Sequence, residues 1–138
     1  MTDRAHLRLT TVEQGLRFSV HVGRFMMTLD SGADAMAASP IQAVLAALGG
    51  CTGMDVISIL RKKRQQITDY EVVVSGERRE EHPRAYTRID VLHRVTGHDV
   101  SEAAVADAIR LSDTKYCSVH AMLRPAVEIT SRFEILPA

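Results

Sequence analysis

Two side chains in this sequence are thiols, Cys51 and Cys117, and a thiol does chemistry only when its thiolate is formed and reachable. Cys51 sits in the run Gly49-Gly50-Cys51-Thr52-Gly53-Met54-Asp55, inside an otherwise apolar stretch. Each glycine inside a helix costs about 1 kcal/mol relative to alanine. Their presence calls for a reason: another segment approaches closely there, or a ligand must reach the sulfur. Asp55 falls one helical turn after Cys51, on the same face. A carboxylate beside a thiol disfavours the thiolate, so activation at Cys51 would need a cation shared by both groups. An Asp55 that simply ties two elements together is the alternative. Cys117 follows Lys115 and Tyr116 much further along the chain, so the pair is no C-x-x-C motif and only the fold could bring the two together. Taken singly, Cys51 is as readily a packing residue as a reactive one and Cys117 reads as packing before chemistry, because free cysteine behaves as a small hydrophobe.

Other chemistries find little support. His21, His82, His93, His98 and His120 are scattered without zinc-ligand spacing. No G-x-S-x-G nucleophile elbow is present, and Gly49 to Gly53 is not followed by the Lys-Ser/Thr of a phosphate loop. With 17 basic and 17 acidic residues and a net charge of +0, the chain lacks the basic footprint of a nucleic-acid or membrane-surface binder. Two cysteines are too few for a disulfide scaffold. The N-terminal segment is charged rather than signal-like, and no apolar run approaches the roughly 18 residues of a membrane span. These features point to a cytoplasmic protein of one domain, residues 1–138, with no nucleic-acid or membrane partner.

The elements that must position the thiols follow from periodicity. Ala5 to Thr11, Leu16 to Val22 and Phe25 to Asp30 alternate apolar and polar residues, with Glu13-Gln14-Gly15 and Gly23-Arg24 as turns, and predict an antiparallel meander. Ser39-Pro40 starts a long helix carrying Ile41, Val44, Leu45, Leu48, Met54, Ile57 and Leu60. Being apolar nearly all round, it should be buried on several sides. Arg61 to Arg64 close it as a solvated, dipole-favoured end. Tyr70 to Ser75 and Tyr86 to Val95 predict a second hairpin. Ser101-Glu102 opens a helix with Val105, Ala108, Ile109 and Ser112 at helical spacing, ending at Lys115 to Ser118. A short piece at Val119 to Leu123 and a strand after Pro125 complete an α+β chain.

The segments SPIQAVLAALGGCTGMDVISILR (39–61) and LSDTKYCSVHAML (111–123), supported by GERREEHPRAYTRIDV (76–91), resemble the OsmC/Ohr superfamily, most closely its YhfA-like branch. The resemblance spans nearly the whole chain. It implies an intertwined homodimer in which antiparallel sheets wrap long central helices. It also implies a thiol-dependent peroxidase, needing no cofactor or metal, that reduces organic hydroperoxides. In that scheme Cys51 is the peroxidatic thiol, Cys117 resolves it as a disulfide, and an external dithiol is the reductant. The family's activating glutamate and arginine are replaced here: Ile41 and Gln42 follow Pro40, and Val12-Glu13-Gln14-Gly15 occupies the first turn. Arg17 or Arg24, with Asp55, are the substitutes the sequence offers. Those replacements leave a second function open, a small-molecule-binding or redox-sensing module that does not turn over.

Overall fold

The computed structural model describes all 138 residues, which divide into two compact units, residues 1–44 and 45–138. In the first unit β1 (Ala5–Leu9), β2 (Phe18–Val22) and β3 (Phe25–Leu29) form the expected antiparallel meander. Gly15 and Gly23 take positive φ in its turns, the conformation glycine adopts at no steric cost. The strands are less covered than their alternation predicts: Leu7, Phe18, Val22, Phe25, Met26 and Met27 are all exposed. This unit is pinned instead by Asp30, which is buried and accepts bonds from Arg17 Nε at 2.9 Å and from the backbone amides of Ser31 and Met36. The Met36 amide, then Arg17, then the Ser31 amide hold its carboxyl below the usual range.

Helix α1 (Pro40–Lys62) begins in the first unit and runs through the second. Its start is a capping box, in which the Gln42 amide donates to Ser39 Oγ at 3.3 Å and the Ser39 amide donates to Gln42 Oε1 at 3.0 Å. Within the second unit, β4 (Gln66–Arg78), β5 (Tyr86–His98) and β6 (Glu128–Pro137) form a sheet in that order. β4 and β5 pair antiparallel, as expected, but β6 lies parallel to β5, so this sheet is mixed rather than purely antiparallel. A parallel partner requires a long crossover, supplied by α2 (Glu102–Leu111), a single π-helical turn (Ser112–Tyr116) and α3 (Ser118–Leu123). The core of this unit is Val56 and Leu60 of α1, Val95 of β5, and Val105, Ala108 and Ile109 of α2.

Two expectations about α1 need correction. First, at 23 residues it is long and apolar enough to cross a membrane by length and composition alone. Gly, Ala, Thr and Ser interrupt its strictly apolar run without adding charge. The buried side of α1 belongs to a folded unit all the same, since Gly49 and Gly53 meet side chains of β4. Second, only Leu48, Gly49, Thr52, Gly53, Val56 and Leu60 are buried, a single face, while Met54 on another face is 74% exposed.

The glycines of this face set the depth of packing. A Cβ on Gly49 would lie 2.8 Å from Val74 Cγ2, and one on Gly53 would lie 3.2 Å from Val72 Cγ2. Gly50, by contrast, faces open space within the chain. Gly49→Ala is therefore expected to destabilise the protein by about 1–2 kcal/mol, overpacking against a stiff valine outweighing the gain in helix propensity. Gly50→Ala should not share that cost. Urea unfolding of the two variants measures the difference.

Candidate functional site

Cys51, Asp55 and Cys117 converge in the second unit, their ligand atoms all within 4.8 Å of one another. Cys51 and Asp55 are adjacent on α1, as the turn spacing predicts, and both are half-buried. Cys117 reaches them from the crossover. The π-helical turn ends at its backbone, where the Cys117 amide donates to the Ser112 carbonyl at 2.9 Å. A π turn spaces residues differently from α-helix and recurs at functional sites. Here it places Ser112 and Cys117 together against α1. The Cys117 sulfur also caps α3, accepting the His120 amide at 3.3 Å.

A buried hydroxyl chain steadies the carboxylate. Ser112 Oγ donates to Asp55 Oδ2 at 2.9 Å. A serine hydroxyl carries one proton, so the 2.8 Å contact between Thr52 Oγ1 and Ser112 Oγ must run from Thr52 to Ser112. Thr52 and Ser112 are at most 1% exposed, which makes this chain part of the interior. Burial first, and then the hydrogen bond with Cys51, push the Cys117 thiol up to about 12, while the His120 amide opposes the shift. Cys117 therefore rests as a neutral thiol at physiological pH.

Behind the site, half-buried Tyr70 on β4 pairs with buried His93 on β5. Their rings lie nearly parallel at 5°, and Tyr70 Oη is 2.6 Å from His93 Nδ1. Burial raises the Tyr70 phenol far above its ordinary value, and the charge of Asp55 adds to the shift. His93 is completely buried and its Nε2 has no hydrogen-bond partner.

Of the residues singled out from sequence, Cys51, Asp55 and Cys117 come together. Arg17 and Arg24 belong to the N-terminal unit, where each has a partner: Arg17 bonds Asp30, and Arg24 lies over the Phe25 ring at 5.1 Å. Asp55 forms no salt bridge. Gln42, at the position where the family's acid was sought, is committed to the capping box. Thr52, Ser112, Tyr70 and His93 escaped the sequence reading. The available signal was the presence of Thr52 and Ser112 on otherwise apolar helical stripes, where a hydroxyl must find a partner.

A long helix carrying a thiol, a second thiol brought to it by a crossover, and two three-stranded sheets define a protein class, and the comparisons agree. The family model for OsmC-like proteins matches residues 32–132, and the chain belongs to that family. Protein YhfA of Escherichia coli is 49% identical over 110 residues, covering 80% of this chain and 82% of YhfA. A crystal structure of a hypothetical protein from Aquifex aeolicus has a TM-score of 0.88 at 30% identity, covering 100% of this chain and 98% of the other. The organic hydroperoxide resistance protein OhrB of Bacillus subtilis shares the fold at a TM-score of 0.62 and 14% identity, with 97% and 98% of the two chains covered.

The buried histidine gives a pH dependence. Burial lowers the His93 pKa from 6.5, with Asp113 pulling the other way. The folded protein therefore keeps this ring neutral, whereas the unfolded chain protonates it. The stabilising contribution is full above 6.5 and is lost as pH falls through the depressed folded value. Urea midpoints measured from roughly pH 7 to pH 5 should fall in the wild type, and His93→Gln should flatten that slope.

Proposed function

We propose that this protein reduces organic hydroperoxides with Cys51 as peroxidatic thiol and Cys117 as resolving thiol. The observation that carries the reading is the convergence of the two sulfurs within 4.8 Å, close enough for a disulfide after a modest side-chain rotation. Their environments support this order. Cys51 is half-buried and Cys117 is buried, so an incoming peroxide meets Cys51 first. The Cys51 thiolate attacks the distal peroxide oxygen, an S–O bond forms as O–O breaks, and the leaving alkoxide takes a proton to become the alcohol. The Cys117 sulfur then attacks the sulfenic acid, an S–S bond forms, and water leaves. An external dithiol restores both thiols by exchange and is itself oxidised to a disulfide.

Asp55 takes part as the acid-base neighbour of both sulfurs, its orientation held by Ser112. Arg17 or Arg24 supplies the cation in this reading, after leaving its partner in the N-terminal unit. The family match crosses the boundary between the two units, which supports their belonging to one domain. The uncovered apolar residues of β1 to β3 and the exposed faces of α1 support a homodimer, and two free thiols suit a reducing cytoplasm. The second reading, binding or sensing without turnover, is favoured by one observation: Asp55 stands beside the thiols without an ion pair.

The deciding experiment treats the reduced protein with one equivalent of cumene hydroperoxide and maps its thiols by mass spectrometry. The expected product is an intramolecular bond between Cys51 and Cys117. Cys51→Ser should slow peroxide consumption at least about 100-fold, whereas Cys117→Ser should leave a trappable sulfenic acid on Cys51. Wild-type rates in Cys51→Ser would sink the enzyme reading. A disulfide formed with diamide but not with the peroxide would instead favour the sensor. Light scattering should give twice the 15.2 kDa chain mass, and a monomer would overturn the proposed assembly.

A further inference from the structure

The same three residues have a second chemistry that needs no peroxide. Two sulfurs and one carboxylate oxygen, all within 4.8 Å of one another, are the donor set of an open metal site. Zinc takes thiolates at about 2.3 Å and carboxylate oxygen at about 2.0–2.2 Å, so its ligands stand roughly 3.5–4 Å apart around a tetrahedron. Small rotations of the three side chains reach that spacing. We propose that reduced Cys51, Cys117 and Asp55 form a binding site for one soft divalent cation of the zinc class, with water in the fourth position.

Three features of the structure support the assignment. The donors are carried by two different segments, α1 and the crossover, so they form a preorganised three-point set rather than a flexible local loop. The carboxylate already has the hydrogen bond that orients a metal-binding oxygen, from buried Ser112 Oγ at 2.9 Å, and Ser112 is itself fixed by Thr52 at 2.8 Å. One of the three donors also borders open space. Asp55 forms part of the wall of a cavity of about 410 Å³, with Ile59, Leu111 and Tyr116 as its apolar sides and Ser58, Lys62 and Lys63 as its other polar lining. Sequence spacing alone did not reveal this set, because none of its members lies in a zinc-type local motif.

Binding releases two thiol protons to solvent and places the cation between two thiolates and a carboxylate. Both sulfurs are then engaged, so metal occupancy and the Cys51 to Cys117 disulfide exclude each other. Oxidation of the pair must expel the ion, and the bound ion must slow oxidation of the pair. The inference rests on the geometry of the reduced site and does not require peroxide turnover.

The test titrates the reduced full-length protein anaerobically with cadmium, read by the thiolate charge-transfer band, and with zinc in competition with a chromogenic chelator. One ion per chain is expected, and Cys117→Ser should weaken the charge-transfer band. Asp55→Asn and Ser112→Ala should each lower affinity about 10–100-fold. Diamide, which forms the disulfide without peroxide, should release the bound zinc in step with thiol loss in the unaltered protein. Zinc retained after complete disulfide formation, or affinity unchanged in Asp55→Asn, would overturn the site. A protein that forms the disulfide with cumene hydroperoxide yet binds no zinc would overturn this inference and leave the peroxidase reading intact.

Discussion

How closely α1 can lie against β4 governs the second unit. Gly49 and Gly53 remove the side chains that would stand between the helix and Val72 and Val74. Close-packed interiors do not absorb an extra methyl without displacement, so this contact fixes both the depth and the rotation of the helix. With that face committed to the sheet, Thr52 meets Ser112, and Cys51 and Asp55 meet Cys117. The sulfur chemistry therefore depends on two positions that carry no functional group.

The site is built with little charge. Its interior members are hydroxyls and thiols, with a single carboxylate whose negative charge is shared with a serine proton. Such networks are costly when half satisfied and rigid when complete. In this protein the hydroxyl chain is complete, while His93 keeps one nitrogen without a partner. The same low-polarity surroundings that hold Cys117 neutral keep the two thiols in contact without charge repulsion.

Much of this was legible in the residues. Alternation located β1 to β3 closely, Ser39-Pro40 marked the first residue of α1, and the glycines around Cys51 pointed to a close approach that Val74 and Val72 supply. The less legible features depend on what residues meet rather than what they are. Periodicity shows an apolar face but not whether this chain covers it, so Met54 and the strands of the meander were expected to be more buried than they are. The direction of β6 is invisible locally, because parallel and antiparallel strands share the same alternation. Ser112 continued the apolar stripe of α2 by spacing, and the π-helical turn that converts it into the Asp55 donor leaves no periodic signature.

The parallel pairing of β6 with β5 carries a consequence for how the thiol pair comes into being. A parallel neighbour cannot be added by a hairpin; the chain must first close a large loop from the end of β5 through α2, the π-helical turn and α3. Loop closure of this kind is slow and raises the sequence separation of native contacts. Cys117 lies within that loop, downstream of the helix that holds Cys51. The two sulfurs are thus neighbours only in a chain whose crossover has settled on α1, so a nascent chain carrying both residues has the two thiols but not their juxtaposition. Proximity of the sulfurs is in this sense a record that folding of the second unit is complete.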